Sequence, residues 1–371
     1  MPDKTIRQQI LSQARQIVVK VGTSAICDDS GRLDVKTIRG LARQIVKLIK
    51  ADRRVTLVAS GAIGAGLGEL DLPERPRTMP ELQAVAAVGQ GQLMRAFHDV
   101  FNRHHIPVAQ MLLTREDFED RTRYLNIRNT LRALGELGAL TIINENDVVA
   151  VDEIRYGDND IIAAHVANLL AADVLVFLTT VDGVMDGRVV MDVIREVDDE
   201  VLSLVEAHHS HLGSGGMASK ITAAGMITRA GEIAIVANAR TTNVLTRVLS
   251  GKRLGTLFVP ATRKLSSRQR WIGQASRPAG KLVVDEGAVQ ALTEAGKSLL
   301  PSGIVSVTGN FKKGATVSIA DADGKEIARG LTNYDSEQLG RIKGFRTNQV
   351  ARILGDKPYD EVIHRNNMTV G

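Results

Sequence analysis

The chain has 371 residues, of which 44% are hydrophobic and 24% charged, with a formal net charge of +5. That balance excludes a wholly disordered chain and suits one large folded domain or two smaller ones. The single cysteine, Cys27, excludes a disulfide framework and a cysteine-based zinc site, and points to a reducing, cytoplasmic compartment. The apolar runs are about strand length, short of the roughly 20 residues needed to cross a bilayer, so no membrane span is expected. Seven Phe, one Trp and four Tyr leave little material for stacking platforms along a nucleic-acid strand.

In chain order, Gln16–Val21 reads as a buried strand that ends in Gly22-Thr23-Ser24. Val35, Ile38, Leu41, Ile45 and Leu48 then recur at helical spacing. Val55–Ala59 is a second strand and breaks into Ser60-Gly61-Ala62-Ile63-Gly64-Ala65-Gly66. A helical stretch over 82–101 leads to the strand Pro107–Leu112, and further strands are expected at Ala139–Ile143, Val174–Leu178 and Ile233–Val236. Short β-branched runs alternating with helices predict an α/β domain whose mainly parallel sheet is covered on both faces, a three-layer sandwich. After Phe258 the pattern changes. Residues 261–276 read as a polar, basic linker between a domain over 1–260 and a small, mostly β domain over 277–371, with strands at Lys281–Val284, Ile304–Val307, Thr316–Ile319 and Glu326–Ala328.

In open α/β sheets ligands bind beyond the carboxyl ends of the strands, and unusual clusters fall at those ends. Lys20 precedes Gly22-Thr23-Ser24, which would set an ammonium beside backbone N–H donors where an anion could lie. The glycines of 61–66 would let backbone approach a ligand, although tight packing explains them equally well. Asn144-Glu145-Asn146-Asp147 follows a strand, and Gly157-Asp158-Asn159-Asp160 opens a helical run over 161–170. Caps and turns use such residues, but a cap seldom needs the whole cluster. Gly213-Ser214-Gly215-Gly216-Met217-Ala218-Ser219-Lys220 reads as a glycine loop before a helix over 221–230 and suits a phosphate cradle. Its spacing differs from a Walker loop. His104-His105, His208-His209 and His211 lack metal-ligand spacing and read as surface histidines, so no protein-held metal site is expected.

Together, Lys20–Ser24, Ser60–Ile63, Ile142–Asp147, Gly157–Asp160 and Ser214–Lys220 resemble the glutamate 5-kinases of the amino-acid kinase superfamily. Val284–Ala288, Ser298–Ile304 and Val307–Phe311 resemble the PUA domain attached to the bacterial enzymes. The resemblance implies the amino-acid kinase fold and transfer of the ATP γ-phosphoryl group to the γ-carboxylate of L-glutamate, the first step of proline synthesis. By motif, Lys20 and Lys220 would contact the phosphates and Asp160 would orient them. Ser60, Asp147 and Asn159 would hold glutamate. Thr179, Thr180, Ser214, Gly215, Gly216, Met217, Ala218, Ser219 and Lys220 would line the nucleotide site, with Mg²⁺ carried mainly by the ATP phosphates. Thr180 departs from the family's usual Asp. A homo-oligomer and feedback inhibition by proline are also implied. The competing readings are a related kinase with a different acceptor, and a protein that binds RNA through its PUA domain.

Overall fold

The structure is a computed structural model and describes residues 3–28, 30–150, 158–206, 214–260, 264–356 and 359–370. The chain divides into two compact units, one of Met1–Phe118 with Thr122–Lys264, the other of Glu119–Arg121 with Leu265–Gly371.

The strands of the first unit are β1 (Gln16–Val21), β2 (Arg54–Ala59), β3 (Val108–Leu113), β4 (Leu140–Glu145), β5 (Val174–Thr179), β6 (Met185–Asp186), β7 (Val189–Val190), β8 (Val193–Ile194), β9 (Ile233–Asn238) and β10 (Thr256–Phe258). Among the described residues they form one eight-stranded sheet in the order β3-β4-β2-β1-β5-β9-β10-β8, plus a small β6–β7 hairpin. All neighbours in the large sheet are parallel except β9 and β10. The mainly parallel sheet read from the sequence is therefore present, and each expected strand lies within two residues of its predicted bounds at the start and end.

Alternation along β1 decides which side chains meet which layer. Ile17, Val19 and Val21 enter a core shared with the helices Val35–Lys50, Met79–Asn102 and Val244–Leu249, through residues such as Ile38, Leu41, Phe97 and Val248. Val18 and Lys20 alternate with them, and on that opposite face lie the helices Asp158–Leu170 and Ser214–Arg229. Burial on both faces explains why these strands are continuously apolar. The chain runs one way from β1 to β2 and the other way from β1 to β5, so a topological switch point falls between β1 and β5.

The sequence reading changes in several places. The segment Ser214–Lys220, expected as a glycine loop, is already the start of the helix Ser214–Arg229; Met217, Ala218 and Lys220 are good helix formers and carry the helix through the glycines. The glycines of 62–69 lie inside a helix, Ala62–Glu69, and Gly64 and Gly66 serve packing. A Cβ on Gly66 would stand 2.0 Å from the Val85 carbonyl oxygen, and one on Gly89 would stand 1.8 Å from that of Ala62. Only glycine lets these two helix backbones come so close.

In the second unit, β11 (Gly280–Val284), β12 (Ile304–Gly309), β13 (Thr316–Ala320), β14 (Glu326–Leu331) and β15 (Met368–Val370) form a sheet in the order β12-β11-β13-β14-β15. Its core gathers Leu282, Val284, Val317, Ile319, Tyr334, Leu339 and Ile363. The sequence reading missed β15, three residues long and recognisable only by its pairing with β14. Within the stretch read as a linker, Ser267–Arg270 is a short α-helix with a Ser266 capping box, and Trp271–Ala275 is a π-helical turn with Trp271 and Ile272 buried.

Candidate active site

Lys20 occupies the penultimate position of β1, opposite Val58 of β2 and Phe177 of β5. It faces the helix Asp158–Leu170, whose first turn carries Asp160. Lys20 Nζ lies 2.8 Å from Asp160 Oδ1, and Lys220 Nζ lies 3.0 Å from Asp160 Oδ2. Asp160 is fully buried, and Lys20 and Lys220 are nearly so. Ser219 Oγ donates to Asp160 Oδ2 at 2.7 Å, and Lys220 Nζ also donates to the Gly216 carbonyl oxygen at 2.7 Å. One carboxylate thus holds two ammonium groups that would otherwise repel each other.

The titration directions follow from this arrangement. Burial pushes the Asp160 carboxyl up, but the charges of Lys20 and Lys220 outweigh it and hold the group below the usual carboxylate range. For Lys20, burial comes first and lowers the pKa; Asp160 pulls it back up, and Lys220 lowers it further. The net direction is down. Two lysines against one carboxylate set a formal surplus of one positive charge in a dry setting, where charge acts strongly on an anion.

Beside the triad runs a polar chain. Asn159 Nδ2 donates to Ser60 Oγ at 3.2 Å and to Asn144 Oδ1 at 2.9 Å. Asn159 Oδ1 accepts the Glu145 N–H at 3.1 Å, and Asn144 Nδ2 donates to Gln90 Oε1 at 2.8 Å. Ser60 follows β2 directly, where Gly61 adopts φ +112° to turn the chain into its helix. Asp147 sits in the turn after β4. The ends of β1, β2 and β4 and the start of one helix thus bring Lys20, Ser60, Asn144, Asn159 and Asp160 together. Gln90, on the helix Met79–Asn102, was not foreseen; it lies between Gly89 and Gly91 and beside Gln92, with no motif to mark it off from an ordinary helix surface.

Thr179 ends β5, and its carbonyl oxygen accepts from the Ala239 N–H at 2.7 Å. Among the described residues no hydrogen bond links Thr179 or Thr180 to the triad. A cleft of about 360 Å³ opens near the ends of β5 and β9, lined by residues that include Asp182, Asn238, Thr241 and Gly255. Gly157, Gly213, His208, His209 and His211 lie outside the described residues.

The pattern of the amino acid kinase family matches residues 15–238, and that of the PUA domain matches residues 280–354. The glutamate 5-kinase of Moorella thermoacetica is 46% identical over 97% of this chain and 97% of its own length. The chain belongs to the amino acid kinase family, among the glutamate 5-kinases. The glutamate 5-kinase of Herpetosiphon aurantiacus is likewise 46% identical, over 95% of this chain. That of a Geobacter species is 41% identical over 98% of this chain and all of its own length. Carbamate kinase from Giardia lamblia, solved with AMP-PNP, aligns with 67% of this chain at 21% identity and a TM-score of 0.48. Lys20, Ser60, Asn159, Asp160 and Lys220 all fall within the residues that the family pattern matches.

Proposed function

We propose that this chain transfers the γ-phosphoryl group of ATP to the γ-carboxylate of L-glutamate, giving L-glutamyl 5-phosphate for proline biosynthesis. The observation that carries this reading is the pair of lysines on opposite oxygens of Asp160, set against the Ser60–Asn159 hydrogen bond.

A glutamate side chain has a pKa of about 4.3 and is already a nucleophile at neutral pH, so the reaction needs no general base. What it needs is shielding between a carboxylate and a triphosphate, and stabilisation of the charge spread over the transferred phosphoryl oxygens. Lys20 and Lys220 supply positive charge to the phosphates; Asp160 keeps the two ammoniums apart and in place. Ser60, Asn159 and Asp147 hold glutamate, the amide and hydroxyl facing carboxylate oxygens and Asp147 facing the α-ammonium group. A carboxylate oxygen attacks the γ-phosphorus in line, the bond to the β-phosphate oxygen breaks, and ADP leaves. Thr179, Thr180 and the segment Ser214–Lys220 line the nucleotide. Both Asp160 oxygens are engaged by lysines, so the donor set suits a Mg²⁺ ion held on the ATP phosphates, where it neutralises charge. Residues 1–260 are assigned to catalysis and 277–371 to the PUA domain; the protein works in the cytoplasm.

The test is incubation with ATP, glutamate and hydroxylamine, which traps an acyl phosphate as its hydroxamate. Hydroxamate formation with glutamate supports the reading. Turnover with a different acceptor, or RNA binding that weakens with salt and no ATP turnover, overturns it.

A further inference from the structure

The carboxamide chain beside the triad has a direction, and the backbone fixes it. A backbone N–H can only donate, so the Asn159 atom facing Glu145 N at 3.1 Å is Oδ1. Asn159 must then point its Nδ2 at Ser60 Oγ and Asn144 Oδ1. Asn144, 2% exposed, must point its own Nδ2 the other way, and the atom that receives it at 2.8 Å is Gln90 Oε1. Reversing any amide would set N–H against N–H or oxygen against oxygen in a buried place. Because Ser60 Oγ accepts from Asn159, its hydroxyl proton is left to be donated, the polarity that an anionic ligand requires.

Gln90 comes within reach of this chain through its neighbour. Gly89 lets the helix Met79–Asn102 approach the Ala62 carbonyl so closely that a Cβ would stand 1.8 Å from it. The Nε2 atom of Gln90 is buried and has no hydrogen-bond partner among the described residues. Leaving that end unpaired is unfavourable, so packing alone does not account for a glutamine here. Its acceptor oxygen does.

We propose that Gln90 is a positioning residue for the acceptor substrate. Its side-chain oxygen terminates the relay Glu145 N–H, Asn159, Asn144, Gln90, holds both asparagines in one orientation, and so presents Ser60 as a hydrogen-bond donor to a substrate carboxylate. Gln90 touches no reacting atom. The inference rests on the reading that Ser60 and Asn159 bind glutamate.

Two variants test it in the full-length protein. Gln90→Met keeps length and volume but removes the acceptor; Gln90→Glu keeps an acceptor oxygen facing Asn144. Wild-type protein producing glutamyl hydroxamate establishes the underlying reading first, and its failure to do so would count against that reading. Given wild-type activity, Gln90→Met is expected to raise the glutamate KM about tenfold with the ATP KM unchanged, alongside the modest fall in Tm that an unpaired Asn144 Nδ2 brings. Gln90→Glu should stay within about threefold of wild type. An unchanged glutamate KM in Gln90→Met, equal rises in both variants, or a matching rise in the ATP KM would each overturn the proposal.

Discussion

Lys20 and Lys220, from a central strand and a late helix, end on the two oxygens of a single carboxylate, at 2.8 and 3.0 Å from Asp160. The spacing of the two ammoniums is therefore set by one buried side chain, and both can face a polyanion together. Removing either lysine should leave the glutamate side of the cleft intact while losing stabilisation of the transition state. Lys20→Ala and Lys220→Ala are each expected to lower kcat by about 10²-fold or more. The glutamate dissociation constant, read by calorimetry, should change little. Near-normal kcat in Lys220→Ala would end the phosphate-clamp assignment.

Asp160→Asn leaves two ammoniums buried without a counter-charge. Breaking such a pair costs about 3–5 kcal/mol, which urea unfolding would register. The variant also has a pH signature. Asp160 raises the Lys20 pKa against burial, so its loss should drive that pKa further below the ordinary lysine value. Whatever activity Asp160→Asn retains should fall on an alkaline limb displaced to lower pH than in the wild type; an alkaline limb in the same place would show that Lys20 does not govern it.

His165 offers a stability test away from the chemistry. It stacks on Phe118 with ring centroids 4.9 Å apart, and burial, with a smaller push from Arg115, lowers its pKa to about 4. A lowered histidine pKa means that the unfolded chain binds more protons between pH 6.5 and 4. Stability conferred by keeping His165 neutral is thus full above pH 6.5 and declines as pH falls toward 4, by on the order of 3 kcal/mol. Urea unfolding from pH 7 to 4.5 should show this slope, and His165→Leu should flatten it.

Gly89 and Gly91 share one helix but meet different surroundings. A methyl on Gly89 would strike the Ala62 backbone, whereas one on Gly91 meets nothing within 4 Å. Gly89→Ala is expected to destabilise the protein by about 1–3 kcal/mol and to raise the glutamate KM by displacing Gln90. Gly91→Ala should stabilise by up to about 1 kcal/mol through helix propensity alone. Equal denaturation midpoints for the two variants would contradict the close helix approach.

With Ser60 and Asn159 holding glutamate as proposed, Ser60→Ala and Asn159→Ala each remove a hydrogen bond to a charged substrate, worth about 1.5–3 kcal/mol. The glutamate KM should rise roughly ten- to a hundredfold in either, and the paired variant should cost less than the sum because the two side chains bond to each other. Strict additivity of the two effects would separate them into independent sites.

The strands and the long helices were legible in the sequence because burial on both faces of a parallel sheet forces continuous apolar runs, such as Ile17–Val19 and Val174–Leu178, and these stand out from any local context. The polar residues that converge were visible too, since Lys20 interrupts one of those runs and Ser60 and Asn144 follow or end two others. Tertiary structure decided the rest. Whether the glycines after Ser60 served a ligand or a helix depended on where the Val85 and Ala62 carbonyls came to lie. Ser214–Lys220 lies in a helix, and only the fold brings its Ser219 and Lys220 side chains onto Asp160 of another helix. Gln90 acquired a role only through the close approach of two helices. A sequence records which atoms can donate or accept; only the packed chain sets which of them face each other, and hydrogen-bond polarity, unlike hydrophobicity, belongs to pairs.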